Sequence, residues 1–178
     1  MKTYIALFRG INVGGKNILP MKDLVALIEN LGAQSVKTYI QSGNAVFQHK
    51  AESTSQLSSK ISAAIKASHG FEPQVFLLDL AEMEKVVAAN PFPEAESEPK
   101  TLHLSFLDSA PQNPDLKTLE EIKKDNERFK LIDNVFYLHA PDGIGRSKLA
   151  ARAEKALGVA ATARNWRTVG KIMALAEQ

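Results

Sequence analysis

The order of the hydrophobic patterns in the first 80 residues is the feature that most constrains the fold. Four segments have the apolar or β-branched composition of strands, and two segments between them repeat apolar residues at helical spacing. The strand patterns cover residues 2–9, 35–41, 44–49 and 74–79. The first helix is expected between Pro20 and Gly32, the second ends near Gly70, and Ser42-Gly43-Asn44 is typical of a hairpin turn. This β-α-β-β-α-β order predicts an α+β fold with an antiparallel sheet, the split βαβ or ferredoxin-like arrangement.

A second set of helical and strand patterns follows. It comprises a helix at 81–89, a strand at 102–106, a helix at 115–124, a hairpin at 128–139, and two terminal helices at 147–157 and 162–177. The stretch from Glu94 to Lys100 is polar and acidic, which is typical of a surface loop or linker. We therefore predict two domains: a ferredoxin-like βαββαβ half at 1–80, and a second α+β half at 81–178 that ends in two helices.

Composition excludes several classes of chemistry. The chain has no cysteine, so disulfides, thiolate catalysis and thiolate metal sites are excluded. The four histidines are isolated and have no carboxylate partner at metal-ligand spacing, so we predict no metal site and no cofactor. No apolar run approaches the roughly 20 residues of a membrane helix, and the N-terminal segment has the pattern of a strand rather than of a signal peptide. We therefore predict a cytoplasmic protein with no membrane partner.

A glycine-rich, basic segment follows the first strand, and its residues are those of an anion site. The segment is Arg9-Gly-Ile-Asn-Val-Gly-Gly-Lys-Asn17. Glycines allow backbone N–H groups to converge on one point, and Arg9 and Lys16 add positive charge. The segment also matches the phosphate-loop pattern G-x-x-x-x-G-K, but Asn17 stands where that pattern needs serine or threonine for Mg²⁺. A nucleotide hydrolase of the phosphate-loop type is therefore disfavoured.

The hairpin at Ser42-Gly43-Asn44 is expected to lie beside this glycine-rich segment. In the split βαβ order the first and third strands are neighbours, and antiparallel pairing brings the end of one to the start of the other. The two loops are then predicted to share one binding site. Its residues are Arg9, Asn12, Gly14, Gly15, Lys16, Asn17, Ser42 and Asn44. The alternative is that the glycines only permit a tight crossover and that Arg9 and Lys16 are solvated.

Two further basic segments lie near the C-terminus. Arg146 precedes a helix for which Ser147 is a natural N-cap. Arg164 and Asn165 are expected in the first turn of the last helix, with Thr162 as its cap, where a cation opposes the helix dipole. Each segment has a plain structural alternative. For Arg146 it is a capped helix with an exposed arginine, and for Arg164 and Asn165 it is a solvated polar face. The functional interpretation predicts that Arg146, Arg164 and Asn165 close the anion site.

These residues favour binding of an anionic, phosphate-bearing small molecule or nucleotide. A metal-independent enzyme that acts on a phosphorylated substrate, with Lys16 as the electrostatic catalyst, is an alternative. A nucleic-acid-binding module is a further one. The formal net charge is only +2, with 8 basic and 5 acidic side chains in residues 1–80, whereas nucleic-acid-binding domains usually carry a larger basic excess. Nucleic acid is therefore possible as a partner, but a small anion is favoured.

The chain resembles a family of small bacterial proteins known as "domain of unknown function 1697". The resemblance is carried by the glycine-rich segment followed by Pro20-Met21, and by Thr38-Tyr-Ile-Gln-Ser-Gly-Asn44 with Val46-Phe47. Asn90-Pro91-Phe92 and Thr162-Ala-Arg-Asn-Trp-Arg-Thr-Val169 with Lys171-Ile172 also match, although Ala163 stands where the family often has threonine. The resemblance covers essentially the whole chain. It implies two ferredoxin-like α/β halves and no assigned activity.

Overall fold

A separate four-stranded antiparallel sheet organises each half of the chain. A computed structural model describes all 178 residues. They divide into a first unit, Met1–Lys85 with Lys171–Gln178, and a second unit, Val86–Gly170. None of the six helices combines the length and the apolar character that are needed to cross a bilayer.

The first unit contains the predicted β-α-β-β-α-β succession. Its strands are β1 (Lys2–Phe8), β2 (Gln34–Thr38), β3 (Asn44–His49) and β4 (Val75–Asp79), and its helices are α1 (Met21–Asn30) and α2 (Thr54–His69). After β4 comes α3 (Leu80–Ala88), whose last residues, from Val86, belong to the second unit. The strands lie in the order β2-β3-β1-β4, and all neighbours are antiparallel. This is the strand order of the ferredoxin-like fold, which confirms the prediction.

Local signals in the sequence set the ends of these helices. Pro20 precedes α1, where its fixed φ is favourable. The Ser53 hydroxyl accepts a hydrogen bond from the Gln56 N–H and caps α2, which ends at Gly70 with φ 80°. The helices cover the face of the sheet on which Tyr4 and Phe8 lie, and these side chains share a buried cluster with residues of both helices. The core thereby fixes β1, whose far end carries the glycine-rich segment.

The second unit repeats the same arrangement. Its strands are β5 (Leu102–Leu107), β6 (Arg128–Ile132), β7 (Val135–His139) and β8 (Ala161–Asn165), and its helices are α4 (Leu116–Ile122) and α5 (Lys148–Leu157). After β8 comes α6 (Trp166–Ala176), whose first residues belong to this unit and whose residues from Lys171 onward belong to the first unit. The strand order β6-β7-β5-β8 has the same form as that of the first unit. Ser147 caps α5 as predicted, because its hydroxyl accepts from the Ala150 N–H at 3.1 Å. The chain thus has two ferredoxin-like halves.

The prediction of one helix from Thr162 to Glu177 is wrong in its first part. Residues 161–165 form β8, which pairs with β5, so that His103 is opposite Asn165. The helix begins at Trp166, and its cap is Asn165, whose Oδ1 accepts from the Thr168 N–H at 2.9 Å. Arg164 and Asn165 therefore do not lie in the first turn of a helix. Pairing with the free edge of β5 overrides a local sequence that also suits a helix.

The acidic stretch predicted as a loop or linker contains a short 3₁₀ helix, Pro93–Ser97. Ala95 within it is buried. The Asn90 side chain starts the turn by accepting from the Phe92 N–H at 3.0 Å. This segment is therefore packed onto the second unit rather than being a free linker.

Candidate functional site

Two loops meet at one edge of the first sheet. Residues 9–20 connect β1 to α1, and residues 39–43 connect β2 to β3. Because β1 and β3 pair antiparallel, Leu7 lies opposite Asn44, and the Phe8 N–H donates to the Gly43 carbonyl at 3.0 Å. The contact between these loops, expected from the strand order, is present. We refer to residues 9–20 and 39–43 together as the loop pair.

Two asparagine side chains hold the first loop in shape. Asn12 donates from Nδ2 to the carbonyl oxygens of Leu19 (2.9 Å) and Gln41 (2.8 Å), and its Oδ1 accepts from the Leu19 N–H (2.7 Å). Asn17 donates from Nδ2 to the Gly10 carbonyl at 3.0 Å. Both asparagines have left-handed φ values, 54° and 53°, which this residue type tolerates better than most. Their amides are therefore hydrogen-bonded to the backbone of the loops.

The tip of the first loop is a two-residue turn at Gly14-Gly15. Val13 and Lys16 form a β-bridge, in which the Lys16 N–H donates to the Val13 carbonyl at 3.0 Å. Gly14 and Gly15 have φ values of 58° and 74°, as a type I′ hairpin turn requires. A Cβ at either glycine would meet no atom within 4 Å. The turn therefore projects into open space and is accessible to a ligand.

The second loop is closed by one glycine and one buried asparagine. Gly43 has φ 93°, and a Cβ built there would lie 2.7 Å from Ile11 Cδ1 and 2.8 Å from Phe8 Cβ. Asn44 is 1% exposed, and its Nδ2 donates to the Tyr39 carbonyl at 2.9 Å. Asn44 thus lies within the predicted group of residues, but its amide is hydrogen-bonded to the backbone of the second loop.

The exposed polar groups of the loop pair include cationic and neutral donors. Arg9, Gly14, Gly15, Lys16 and Ser42 are all exposed. The Lys16 ammonium forms no ion pair or hydrogen bond within the chain, and neither do the Ser42 hydroxyl and the N–H groups of Gly14 and Gly15. The Lys16 ammonium, the Ser42 hydroxyl and the two turn amides can therefore bind an anion without breaking any bond that holds the loops together.

Sequence reasoning missed three apolar side chains on the same loops. Val13, Ile18 and Ile40 are 61%, 55% and 49% exposed. Ile40 also has φ 53°, an outlying value for a β-branched residue. The signal in the sequence was the presence of large aliphatic residues within loops that are otherwise polar.

The loop pair is longer than the fold requires. In the second unit, the connection that corresponds to residues 9–20 is residues 108–115, and the one that corresponds to 39–43 is the two-residue turn 133–134. The same strand order is therefore built there with shorter loops. Connections longer than the scaffold needs are the usual carriers of binding function.

The other three predicted residues lie in the second unit. Arg146 is exposed in the loop between β7 and α5. Arg164 lies in β8 and donates from Nη1 to Thr162 Oγ1 (2.8 Å) and to the Ala163 carbonyl (2.9 Å). Burial lowers the pKa of the Arg164 guanidinium to about 10, which leaves it charged at neutral pH. Asn165 caps α6.

A polar cluster in the second unit surrounds Arg128. Its guanidinium forms an ion pair with Glu94, lies 4.5 Å from the centroid of the Phe92 ring, and donates to His139 Nδ1 at 2.9 Å. Burial and the neighbouring Arg128 charge lower the pKa of His139, although Glu94 and Glu98 act in the opposite direction. His139 is therefore held as a neutral hydrogen-bond acceptor.

We expect the free energy of unfolding to fall as the pH is lowered below the ordinary histidine pKa of 6.5. The pKa of His139 is lower in the folded than in the unfolded chain. Its contribution to the free energy of unfolding is therefore complete above pH 6.5, and it is lost as the pH falls through the pKa of the folded state. Burial lowers the pKa of His103 in the same direction. Urea unfolding at about pH 7.5 and pH 5 measures the difference. The His139→Gln variant should show a smaller pH dependence, and an unchanged dependence would contradict the assignment.

No three His, Asp or Glu side chains gather in a geometry that could hold a metal ion. The candidate site is the loop pair. Its chemistry is that of amide, hydroxyl and ammonium donors beside exposed aliphatic carbon.

Comparisons with other proteins agree with this architecture. The family model described as "Protein of unknown function (DUF1697)" matches residues 1–137. The chain belongs to this family. A solved structure of a conserved bacterial protein, SP0830 from Streptococcus pneumoniae, has 27% sequence identity and a TM-score of 0.66, and the match covers 98% of each chain. No curated protein matches the chain. The DUF1697 match and the fold are thus established, and the family description assigns no activity.

Proposed function

We propose that the loop pair binds a phosphate-bearing small molecule or nucleotide. The observation that carries the proposal is the turn at Gly14-Gly15. Its two N–H groups have no partner within the chain, and Lys16 directly follows them on a loop fixed by Asn12 and Asn17. A phosphate oxygen accepts strong hydrogen bonds from amide and ammonium donors together. A loop that is already rigid loses little conformational entropy when the ligand binds.

The exposed aliphatic side chains indicate that the ligand also has an apolar part. Val13, Ile18 and Ile40 lie on the same two loops as the donors. Ile40 is held in a left-handed conformation that costs a β-branched residue about 1–2 kcal/mol, although its side chain gains little burial in return. Strain of this kind, where the surrounding structure maintains it, is concentrated at ligand sites. A nucleotide, with phosphate at one end and the ring faces of its base at the other, has the matching chemistry.

Titration of the amide signals of Gly14 and Gly15 by NMR tests the proposal. ATP is expected to shift both signals in a saturable manner, and inorganic phosphate is expected to shift them at higher concentration because it lacks the apolar contact. Replacement of Lys16 by alanine removes one charge-assisted contact, so it should weaken ATP binding about tenfold or more. Lys60→Ala, an exposed lysine on α2, is the matched control and should bind as the unmodified protein does.

The same titration separates the alternative functions. A single-stranded oligonucleotide that binds more tightly than ATP, with an affinity that falls steeply with salt, would instead indicate a nucleic-acid module. Conversion of the phosphorylated probe, followed by ³¹P NMR, would indicate an enzyme. If neither ATP nor phosphate shifts the two glycine signals, or if Lys16→Ala and Lys60→Ala have equal effects, the proposal is wrong.

A further inference from the structure

Each unit has a cavity at the same place in its fold, where the first strand begins and the fourth strand runs directly into a helix. The places correspond because the last residue of the fourth strand caps the helix in both. Asp79 Oδ1 accepts from the Glu82 N–H at 2.8 Å, and Asn165 Oδ1 accepts from the Thr168 N–H at 2.9 Å. The two caps also occupy corresponding positions opposite the first strand of their sheets. The cavities of the two units can therefore be compared residue by residue.

In the first unit the cation at this cavity has a counter-charge within the protein. The cavity has a volume of about 290 Å³ and is bordered by Lys2, Thr3 and Asp79. The Lys2 ammonium lies 4.0 Å from the Asp79 carboxylate. The residue that caps the helix therefore also balances the charge of the lysine.

In the second unit the capping residue is neutral and the cations are more numerous. The cavity has a volume of about 400 Å³ and is bordered by Lys100, Thr101, Arg167, Glu98 and Pro99. Neither Lys100 nor Arg167 forms an ion pair within the chain, and the Glu98 carboxylate forms none with them. Two cations share the cavity with one carboxylate, so the site retains net positive charge. A bound anion would offset the charge of these two cations.

The walls of this cavity are fixed by the backbone around them. The Thr101 hydroxyl and N–H both donate to the Glu98 carbonyl, at 2.7 and 2.9 Å, and the Ala140 N–H donates to the Thr101 carbonyl at 2.9 Å. His103, two residues further along, has a buried Nε2 without a hydrogen-bond partner. The cavity is therefore preformed, and an unpartnered ring nitrogen lies close to it along the chain.

We propose that this cavity of the second unit binds a small organic anion, in which one carboxylate or phosphate group is attached to an apolar body. Lys100 and Arg167 hold the oxyanion, and the guanidinium of Arg167 can bind it through two parallel hydrogen bonds. Pro99 provides apolar surface for the rest of the molecule. This site is additional to the loop pair and does not depend on the proposed function of those loops.

Two aromatic anions, benzoate and phenyl phosphate, are suitable probes, with phenol as the probe that has the ring but no full charge at neutral pH. The two anions are expected to shift the NMR signals of Lys100, Thr101 and Arg167 in a saturable manner, and phenol is not. Preference for benzoate or for phenyl phosphate identifies the oxyanion. Arg167→Ala should weaken binding about tenfold or more, whereas Lys155→Ala, an exposed lysine on α5, should leave it unchanged.

Asn165→Asp is the most informative variant, because it gives the helix of the second unit an aspartate cap, as in the first unit. Aspartate caps helices as well as asparagine does, so the fold is expected to be retained. The new carboxylate would supply an internal counter-charge, and the affinity for benzoate and phenyl phosphate, followed on the signals of Lys100, Thr101 and Arg167, should fall several-fold. Equal binding by the Asn165→Asp, Arg167→Ala and unmodified proteins would overturn the proposal, as would an absence of saturable binding in a folded protein.

Discussion

Replacing Gly43 by alanine is expected to lower the free energy of unfolding substantially, because the added Cβ has no room. The new Cβ would lie 2.7 Å from Ile11 Cδ1 and 2.8 Å from Phe8 Cβ. The Ile11 side chain can rotate away, but the Phe8 Cβ is fixed to the backbone of β1 and cannot. Overpacking of this kind costs about 1–3 kcal/mol, and the left-handed φ of 93° costs an alanine about 1–2 kcal/mol more.

The expected result is a loss of about 2–5 kcal/mol, from the sum of these two effects. For a chain of this length it corresponds to a decrease in melting temperature of about 10 °C. Urea unfolding and differential scanning calorimetry both measure it.

Gly10→Ala provides the matched control. Gly10 also has a left-handed φ, 72°, but a Cβ there would meet no atom within 4 Å. This variant should therefore lose only the conformational term, about 1–2 kcal/mol. The difference between the two variants measures the close approach of the second loop to Phe8 and Ile11. Equal losses would show that the two loops do not pack as closely as the structure indicates.

The architecture of the first unit could be predicted because its signals are local and agree with one another. The succession of patterns in residues 2–79 fixed the strand order, and the strand order placed the end of β1 beside the start of β3. The prediction of a helix from Thr162 was wrong because the local signals there do not decide between a strand and a helix. Thr162 and Asn165 are both good helix caps, three residues apart, and only pairing with β5 decides between them.

The candidate site could be located from the sequence, but the tasks of its polar residues could not be assigned. Asn12, Asn17 and Asn44 have the composition of a ligand-binding group. In the structure their amides bond to backbone carbonyls of the loops themselves. An asparagine amide suits a ligand and a strained loop backbone equally well, so composition does not separate the two. The N–H groups of Gly14 and Gly15 and the Lys16 ammonium, by contrast, have no competing partner within the chain.

The Asn12→Ala variant is expected to show the second large effect. The substitution removes two hydrogen bonds that the side chain donates, to Leu19 and Gln41, and one that it accepts from Leu19. Each bond contributes about 0.5–1.5 kcal/mol, and alanine at φ 54° adds about 1–2 kcal/mol of strain. We expect a total loss of about 2–4 kcal/mol, measured by urea unfolding, because the site is only partly buried and water replaces some of the bonds.

Two further variants at Asn12 separate these contributions. Asn12→Gly loses the same three bonds without the strain, so it should be more stable than Asn12→Ala by about 1 kcal/mol. Asn12→Asp retains the acceptor for the Leu19 N–H but places a carboxylate oxygen against the Leu19 and Gln41 carbonyls, so it should be destabilised in spite of its identical shape. If Asn12→Asp is as stable as the unmodified protein, the amide does not donate to both loops.

Asn12 also allows the two roles of the loop pair to be distinguished. The hydrogen bonds of its side chain go to Leu19 and Gln41, so a substitution at Asn12 removes none of the proposed ligand contacts of Lys16 and the turn amides. If the rigidity of the first loop supports ligand binding, Asn12→Gly should weaken ATP binding at a temperature where the protein is still fully folded, because the unbound loop then has more conformational freedom to lose. Weakened binding with unchanged chemical shifts in the cores of both sheets would show that Asn12 acts by ordering the loop, and unchanged binding would show that Lys16 and the turn amides suffice without it.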